Sequence, residues 1–198
     1  MPQIHEIRAD YNDTTLIVYQ AYPAAIAKAA VDAGKFVPPF SLNRMTWIKP
    51  SFLWMMERSN WGLKSGQERI LAIRITRAGW EEALSLAVLT HPEKSVYPDV
   101  EDWRRQLAKA WVNVQWDPET DLRGAVLDHR SIQVGISRHV AEKYVNEWTT
   151  NIQDITPLVR KMHSLIQSGQ AAKAKHFLPR ERIYSVNAVI AKRLGMNG

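Results

Sequence analysis

Alternating apolar and polar positions predict several short strands along the chain. In residues 69–75 (RILAIRI), Leu71, Ile73 and Ile75 share one side, and Ile70, Ala72 and Arg74 face the other. Similar short runs, rich in β-branched and aromatic residues, are bounded by turn residues. Strands are therefore predicted over residues 14–20, 44–48, 69–75, 112–116 and 130–136.

Helical spacing and capping residues predict helices between these strands. Pro23 is suited to open a helix over AAIAKAAVDA, which Gly34 closes, and Asp99 is suited to cap another. Further helices are expected over residues 51–58, 79–89, 140–148 and 156–169. Because the strands are short and irregularly spaced, we expect an α+β fold with a small, split, mostly antiparallel sheet flanked by helices.

Length and charge divide the chain into two predicted parts. A length of 198 residues suits one domain, which we place at residues 1–169, followed by a basic C-terminal extension at 170–198. Residues 156–198 contain eight Lys or Arg residues and a single acid, Glu181, whereas residues 1–155 are nearly balanced. The extension is interpreted either as a solvated tail or as an electrostatic arm for a polyanion.

The sequence lacks the signals that are typical of several classes of protein. The chain has no cysteine, no apolar run of the length of a membrane span, and no apolar segment at the N-terminus that resembles a signal peptide. We therefore expect a cytoplasmic protein without a membrane partner. The common phosphate-binding glycine motifs and the HExxH motif are absent, and the six histidines are not paired, so no metal site is expected.

The stretch from residue 44 to residue 67 is the first candidate site. It holds four basic residues and one acid, interleaved with three of the eight tryptophans. Cations bind phosphate and flat rings offer a stacking face. A helix that opens at Pro50 would also present free N–H groups to an anion. The alternative is an ordinary core helix face with a solvated turn. The candidate binding residues are Arg44, Thr46, Trp47 and Lys49.

Two further groups lie near strand ends. Gln20 and Tyr22 follow the first long strand, where Gln20 could grip a ribose or simply cap its own turn. Glu119 belongs to a cluster of carboxylates. It could act as a general base, or the cluster could simply form an acidic turn between strands. Arg130 and Gln133 lie on a later strand, one face of which is polar and ends in Gly135. Such a face suggests that something other than hydrophobic core approaches the strand.

The run RMTWIKPSFLWMM, with IRADYNDTTLIVYQAY before it and GQERILAIRIT and RSIQVGI after it, resembles an uncharacterised domain-of-unknown-function family. This resemblance covers nearly the whole chain, to about Tyr184. A second, weaker resemblance is to the ADP-ribosyltransferase superfamily, including its RNA 2′-phosphotransferase branch. Its members open with a strand, a helix and a second short strand, and this order is matched here by VYQAY, AAIAKAAVDAGKFVP and RMTWI. The usual His or Arg anchor is replaced here by Gln20. The glutamate expected on a late strand is replaced by Arg130 and Gln133.

The second resemblance implies an ADP-ribosyltransferase-like fold with NAD as a substrate. It implies that Arg44 and Lys49 clamp the diphosphate and that Gln20 and Tyr22 orient the nicotinamide ribose. Glu119 or Arg130, with Gln133, would then act at the reacting centre. The leading hypothesis is therefore an ADP-ribosyltransferase-like enzyme that acts on a nucleotide or nucleic acid. The alternatives are a non-catalytic RNA- or DNA-binding module that uses the basic aromatic face and tail, and a protein-interaction domain with exposed tryptophans.

Overall fold

The secondary structure comes from a computed structural model, which describes residues 4–196. The described strands are β1 (Ile4–His5), β2 (Arg8–Ala9), β3 (Thr15–Tyr22), β4 (Thr46–Ile48), β5 (Arg69–Thr76), β6 (Ala87–Leu89), β7 (Val112–Thr120), β8 (Val126–Ile136), β9 (Thr149–Asp154) and β10 (Arg182–Ile183). The described helices are α1 (Ala24–Ala33), α2 (Phe52–Ser59), α3 (Arg77–Ser85), α4 (Val100–Ala108), α5 (Ala141–Lys143, continued by the π-helical turn Tyr144–Trp148), α6 (Thr156–Gln167), α7 (Ala171–Lys175) and α8 (Ala188–Arg193).

Most strands belong to two sheets of different character. The five-stranded sheet has the order β1–β8–β7–β6, with β4 paired to β8 as well. It is mixed, because β1 runs parallel to β8 and β6 runs parallel to β7. The three-stranded sheet β3–β5–β9 is antiparallel, and β2 forms a small ribbon with β10. The α+β class is confirmed, but the prediction of a mostly antiparallel sheet was wrong. The ADP-ribosyltransferase-like fold stays a prediction.

The local predictions succeed where capping residues are clear and fail for short segments that depend on distant partners. Gly34 ends α1 with a left-handed φ of 67°, and the side chain of Asp99 caps α4 by accepting from Glu101 N–H. The helix predicted over 79–89 instead ends at Ser85, and its apolar remainder forms β6. A short apolar run fits either a strand or a buried helix, and here parallel pairing with β7 decides.

The hydrophobic core contains many of the tryptophans, as their size predicts. Trp80, Trp116 and Trp148 are buried in the main cluster, which draws on both larger sheets. A second, smaller cluster lies where α2 packs near α6, around Phe52 and Met162. No helix within residues 4–196 combines the length and the apolar character needed to cross a membrane.

The predicted basic extension packs against the rest of the protein over much of its length. Tyr184 and Leu194 are buried, and the carbonyl of Leu194 accepts a hydrogen bond from Trp116 Nε1 at 2.8 Å. The guanidinium of Arg182 lies over the Tyr11 ring. The solvated-tail interpretation was therefore wrong for these residues, because charge counts do not reveal apolar positions that pack. The domain boundary after residue 169 stays a prediction.

The carboxyl group of Glu181 caps the N-terminus of α2 from this C-terminal segment. Its Oε1 accepts the Phe52 N–H at 2.6 Å, and Ser51 Oγ accepts the Trp54 N–H at 3.2 Å. Two of the N–H groups that we expected α2 to offer an anion, those of Phe52 and Trp54, are thus already engaged. Burial raises the pKa of Glu181 to about 8, and the nearby carboxylate of Glu119 adds to the rise.

This cap predicts a pH dependence of stability. A carboxyl whose folded-state pKa lies above its unfolded value contributes stability at low pH that is lost as pH rises towards about 8. We expect Glu181→Gln, which keeps the accepting oxygen but cannot ionise, to gain stability relative to the native protein between pH 6 and pH 9. Urea unfolding at both pH values measures this gain. Glu142→Gln, at an exposed position, is the control. An equal difference at both pH values would contradict the prediction.

Candidate anion-binding site

A polar cavity of about 590 Å³ opens where β3, β4, β7 and β8 approach one another. The residues that the sequence assigned to cofactor binding all line it, and so does Gln133 from the predicted catalytic set. Those six binding residues are Gln20, Tyr22, Arg44, Thr46, Trp47 and Lys49. The structure therefore places these side chains, which belong to two sheets, around one cavity. From the sequence, each of them could be assigned only to its own strand.

Strand β4 brings these side chains together, because it contacts both larger sheets. It pairs antiparallel with β8, placing Trp47 opposite Gly135. Just beyond the strand, Lys49 bridges to Tyr19 of β3, with Tyr19 N–H donating to the Lys49 carbonyl at 2.7 Å. The wall of the cavity is thus continuous from the end of β3, through β4, to β8.

Gly135 allows the Trp47 ring to lie close to β8. A Cβ atom at position 135 would come within 3.1 Å of the Trp47 ring and within 2.8 Å of Met45 Sδ. The sequence suggested that something other than core approaches the glycine end of this strand. The approaching groups are these two side chains, and both line the cavity.

Gln20 is the centre of a buried hydrogen-bond network in the cavity wall. Its Nε2 donates to Thr46 Oγ1 at 2.6 Å and to Tyr22 Oη at 2.9 Å. Its Oε1 accepts from the hydroxyl of Tyr144 at 2.7 Å. The amide is therefore engaged on both sides by the protein, so Gln20 positions Tyr22 and Thr46. Burial raises the pKa of Tyr22 to about 12, which keeps its hydroxyl protonated at neutral pH.

The ammonium group of Lys49 lies in this wall and forms no direct ion pair within residues 4–196. The residue is only 5% exposed, and its Nζ has no hydrogen bond or ion pair with any residue between 4 and 196. Its pKa is lowered to about 8, chiefly by burial and also by the positive charge of Arg58, while the negative charge of Asp117 opposes both effects. At neutral pH the side chain is a buried cation facing a cavity.

The two remaining catalytic candidates lie elsewhere. Arg130 lines a neighbouring cavity of about 290 Å³ and donates from its guanidinium to the Trp116 carbonyl at 2.8 Å. Glu119 is buried, accepts the Thr120 N–H at 3.0 Å and lines neither cavity. No group of three or more His, Asp or Glu side chains within residues 4–196 is arranged to hold a metal ion.

Three further polar residues line the cavity without having been assigned a binding role, although Arg58 and Gln67 lie within the candidate stretch 44–67. Arg58 comes from the last turn of α2, Gln67 from the loop before β5, and Gln115 from β7. Gln115 could have been found, because polar residues alternate with Val114 and Trp116 along that strand. Of the tryptophans in the basic stretch, Trp47 lines the cavity, whereas Trp61 stacks on His163 with ring centroids 5.4 Å apart.

The fold and cavity define an α+β protein with a cavity lined by three basic side chains at the join of two sheets. Residues 6–184 match the family model described as Domain of unknown function (DUF4291), and the chain belongs to that family. The first-level resemblance expected from the sequence is thereby confirmed. A search of curated proteins gave no match.

Replacing the buried cation should stabilise the empty protein. A lysine whose folded-state pKa is depressed to about 8 holds fewer protons than in the unfolded chain, so stability rises with pH between about 8 and 10.5. We expect Lys49→Met to raise the melting temperature at pH 7 by about 2–4 °C, corresponding to roughly 1 kcal/mol, with a smaller gain at pH 10.

Thermal denaturation of the ligand-free protein at both pH values measures this effect. Lys64→Met is the matched control, because Lys64 is exposed in the same stretch and does not line the cavity. A lower melting temperature for Lys49→Met at pH 7 would show that the ammonium group has a stabilising partner.

Proposed function

We propose that the protein binds the phosphate groups of a nucleotide in this cavity. The observation that supports the proposal most strongly is the buried, unpartnered ammonium group of Lys49. A buried charge is costly unless it is paired, and the same cavity is lined by the guanidinium-bearing Arg44 and Arg58. A phosphate would supply the negative charge that this wall lacks and would accept hydrogen bonds from all three cations.

The size and the other walls of the cavity favour a nucleotide over a small inorganic anion. A volume of about 590 Å³ lies within the usual range for small-molecule sites. Trp47 offers a flat ring, and several amide side chains offer hydrogen bonds that inorganic phosphate would not use. The favoured ligands are therefore dinucleotides and mononucleotides. The 5′-phosphorylated end of a nucleic acid offers the same groups on a longer chain.

NAD and ADP-ribose are the nucleotides that the sequence resemblance favours. In this interpretation Arg44 and Lys49 bind the diphosphate, and Tyr22, held by Gln20, lies beside the ribose. Gln133 is the residue from the predicted catalytic set that shares the cavity. ADP-ribosyl transfer is thus the reaction proposed for the site, and its support comes from the shared cavity of the binding residues.

Phosphate-bearing ligands should stabilise the native protein and lose this effect without Lys49. A ligand at one hundred times its Kd adds about 2.7 kcal/mol to the free energy of unfolding. We expect ADP-ribose or NAD to raise the melting temperature of the native protein and of Lys64→Met, but not of Lys49→Met. Affinity should fall as pH rises above about 8, because Lys49 loses its charge there. Thermal shift and calorimetry measure both effects.

The same titrations separate the competing functions. Equal stabilisation of Lys49→Met and native protein would place the ligand outside the cavity and contradict the proposal. Binding of a 5′-phosphorylated oligonucleotide, without binding of any free nucleotide, would favour the nucleic-acid-binding module. Release of nicotinamide from NAD by the native protein would support the transferase.

A further inference from the structure

We propose that the cavity selects a nucleobase that carries an exocyclic amino group, adenine rather than hypoxanthine, through the side-chain carbonyls of Gln115 and Gln133. This inference deepens the proposed function and rests on it, because the phosphate-binding cations are what would hold a nucleotide in the cavity. The residues that carry it belong to β7 and β8, on the side of the cavity formed by the five-stranded sheet.

Asp117 fixes the orientation of both glutamine amides. Gln115 Nε2 lies 2.8 Å from Asp117 Oδ1, and Gln133 Nε2 lies 2.7 Å from Asp117 Oδ2. A carboxylate only accepts hydrogen bonds, so the atom that faces it must be the amide nitrogen. Turning either amide over would bring its carbonyl oxygen against a carboxylate oxygen. The chemistry of Asp117 thus decides which end of each amide faces away from it.

The two carbonyl oxygens are left for a ligand. Gln115 and Gln133 are register partners on adjacent antiparallel strands, so their side chains leave the sheet side by side. Both line the cavity, and neither Oε1 has a hydrogen-bond partner among residues 4–196. The cavity therefore presents two neighbouring acceptors whose direction is set by a third residue.

Two acceptors require a donor on the ligand. The exocyclic amino group of adenine carries two hydrogens and can donate to one or both carbonyls. Hypoxanthine has a carbonyl oxygen at that position, which would face the glutamine oxygens acceptor to acceptor. A base held by its phosphate at Lys49 cannot turn over freely to avoid this. The same reasoning favours cytosine over uracil.

The pairs AMP with IMP and CMP with UMP test the inference, because each pair differs at the amino position and keeps the phosphate. A well-placed base contact discriminates by about 1–3 kcal/mol, so we expect AMP to bind roughly 5–150 times more tightly than IMP. In Asp117→Asn one of the two accepting oxygens becomes a donating NH2 group, so the glutamine amide that faces it can turn over, and the AMP-to-IMP ratio should fall towards one. Asp121→Asn, on the same hairpin but outside the cavity, should keep the native ratio.

Calorimetry with the full chain gives the four affinities, and the ratio is the measured quantity because Asp117 also influences Lys49. Equal, Lys49-dependent affinities for AMP and IMP would overturn the base preference and leave the phosphate proposal standing. Binding of neither nucleotide would overturn the phosphate proposal. Adenosine and inosine then test the base preference directly, and equal or absent binding of both would overturn it as well. A native ratio that survives Asp117→Asn would show that Asp117 does not orient the amides.

Discussion

The backbone bridge between Tyr19 and Lys49 is the contact on which the cavity depends. It connects the end of β3 in the antiparallel sheet to the residue that follows β4, while β4 itself is paired to β8 in the mixed sheet. Two backbone hydrogen bonds therefore fix the relative position of both sheets at this point. They also hold Lys49 in the cavity wall, where only 5% of the residue is exposed. The position of the Lys49 ammonium group and the packing of the sheets share one structural cause.

Local patterns predicted the parts of the site but not all of its walls. Gln20 and Lys49 were found because strand ends and basic residues beside aromatic rings are visible in a short window of sequence. Gln115 was missed, because its place depends on strand register, which distant residues set. Arg58 lay in the candidate stretch without an assigned role, because its place depends on how α2 packs. Glu119 was assigned a role from the carboxylates around it in sequence, yet it is buried and does not line the cavity.

The same limit explains the errors in the fold. The β6 segment follows α3 without a break in apolar character, and parallel pairing with β7 makes it a strand. Charge along the C-terminal segment indicated a tail, while Tyr184 and Leu194 supply apolar contacts to the main core. Natural sequences break the local rules most often where function requires it. A lysine buried without a partner is such a case, since a hydrophobic side chain would pack there at lower cost.

The cap that Glu181 places on α2 has a consequence for how the domain is made. Its partner, the Phe52 N–H, lies 129 residues earlier in the chain. During translation, α2 and the neighbouring Lys49 leave the ribosome long before position 181 has been synthesised. At about 5–20 residues per second, the delay lasts roughly 6–26 seconds. During that interval the Phe52 N–H lacks the acceptor that caps it in the folded protein, and the helix end is open to other anions or to chaperones.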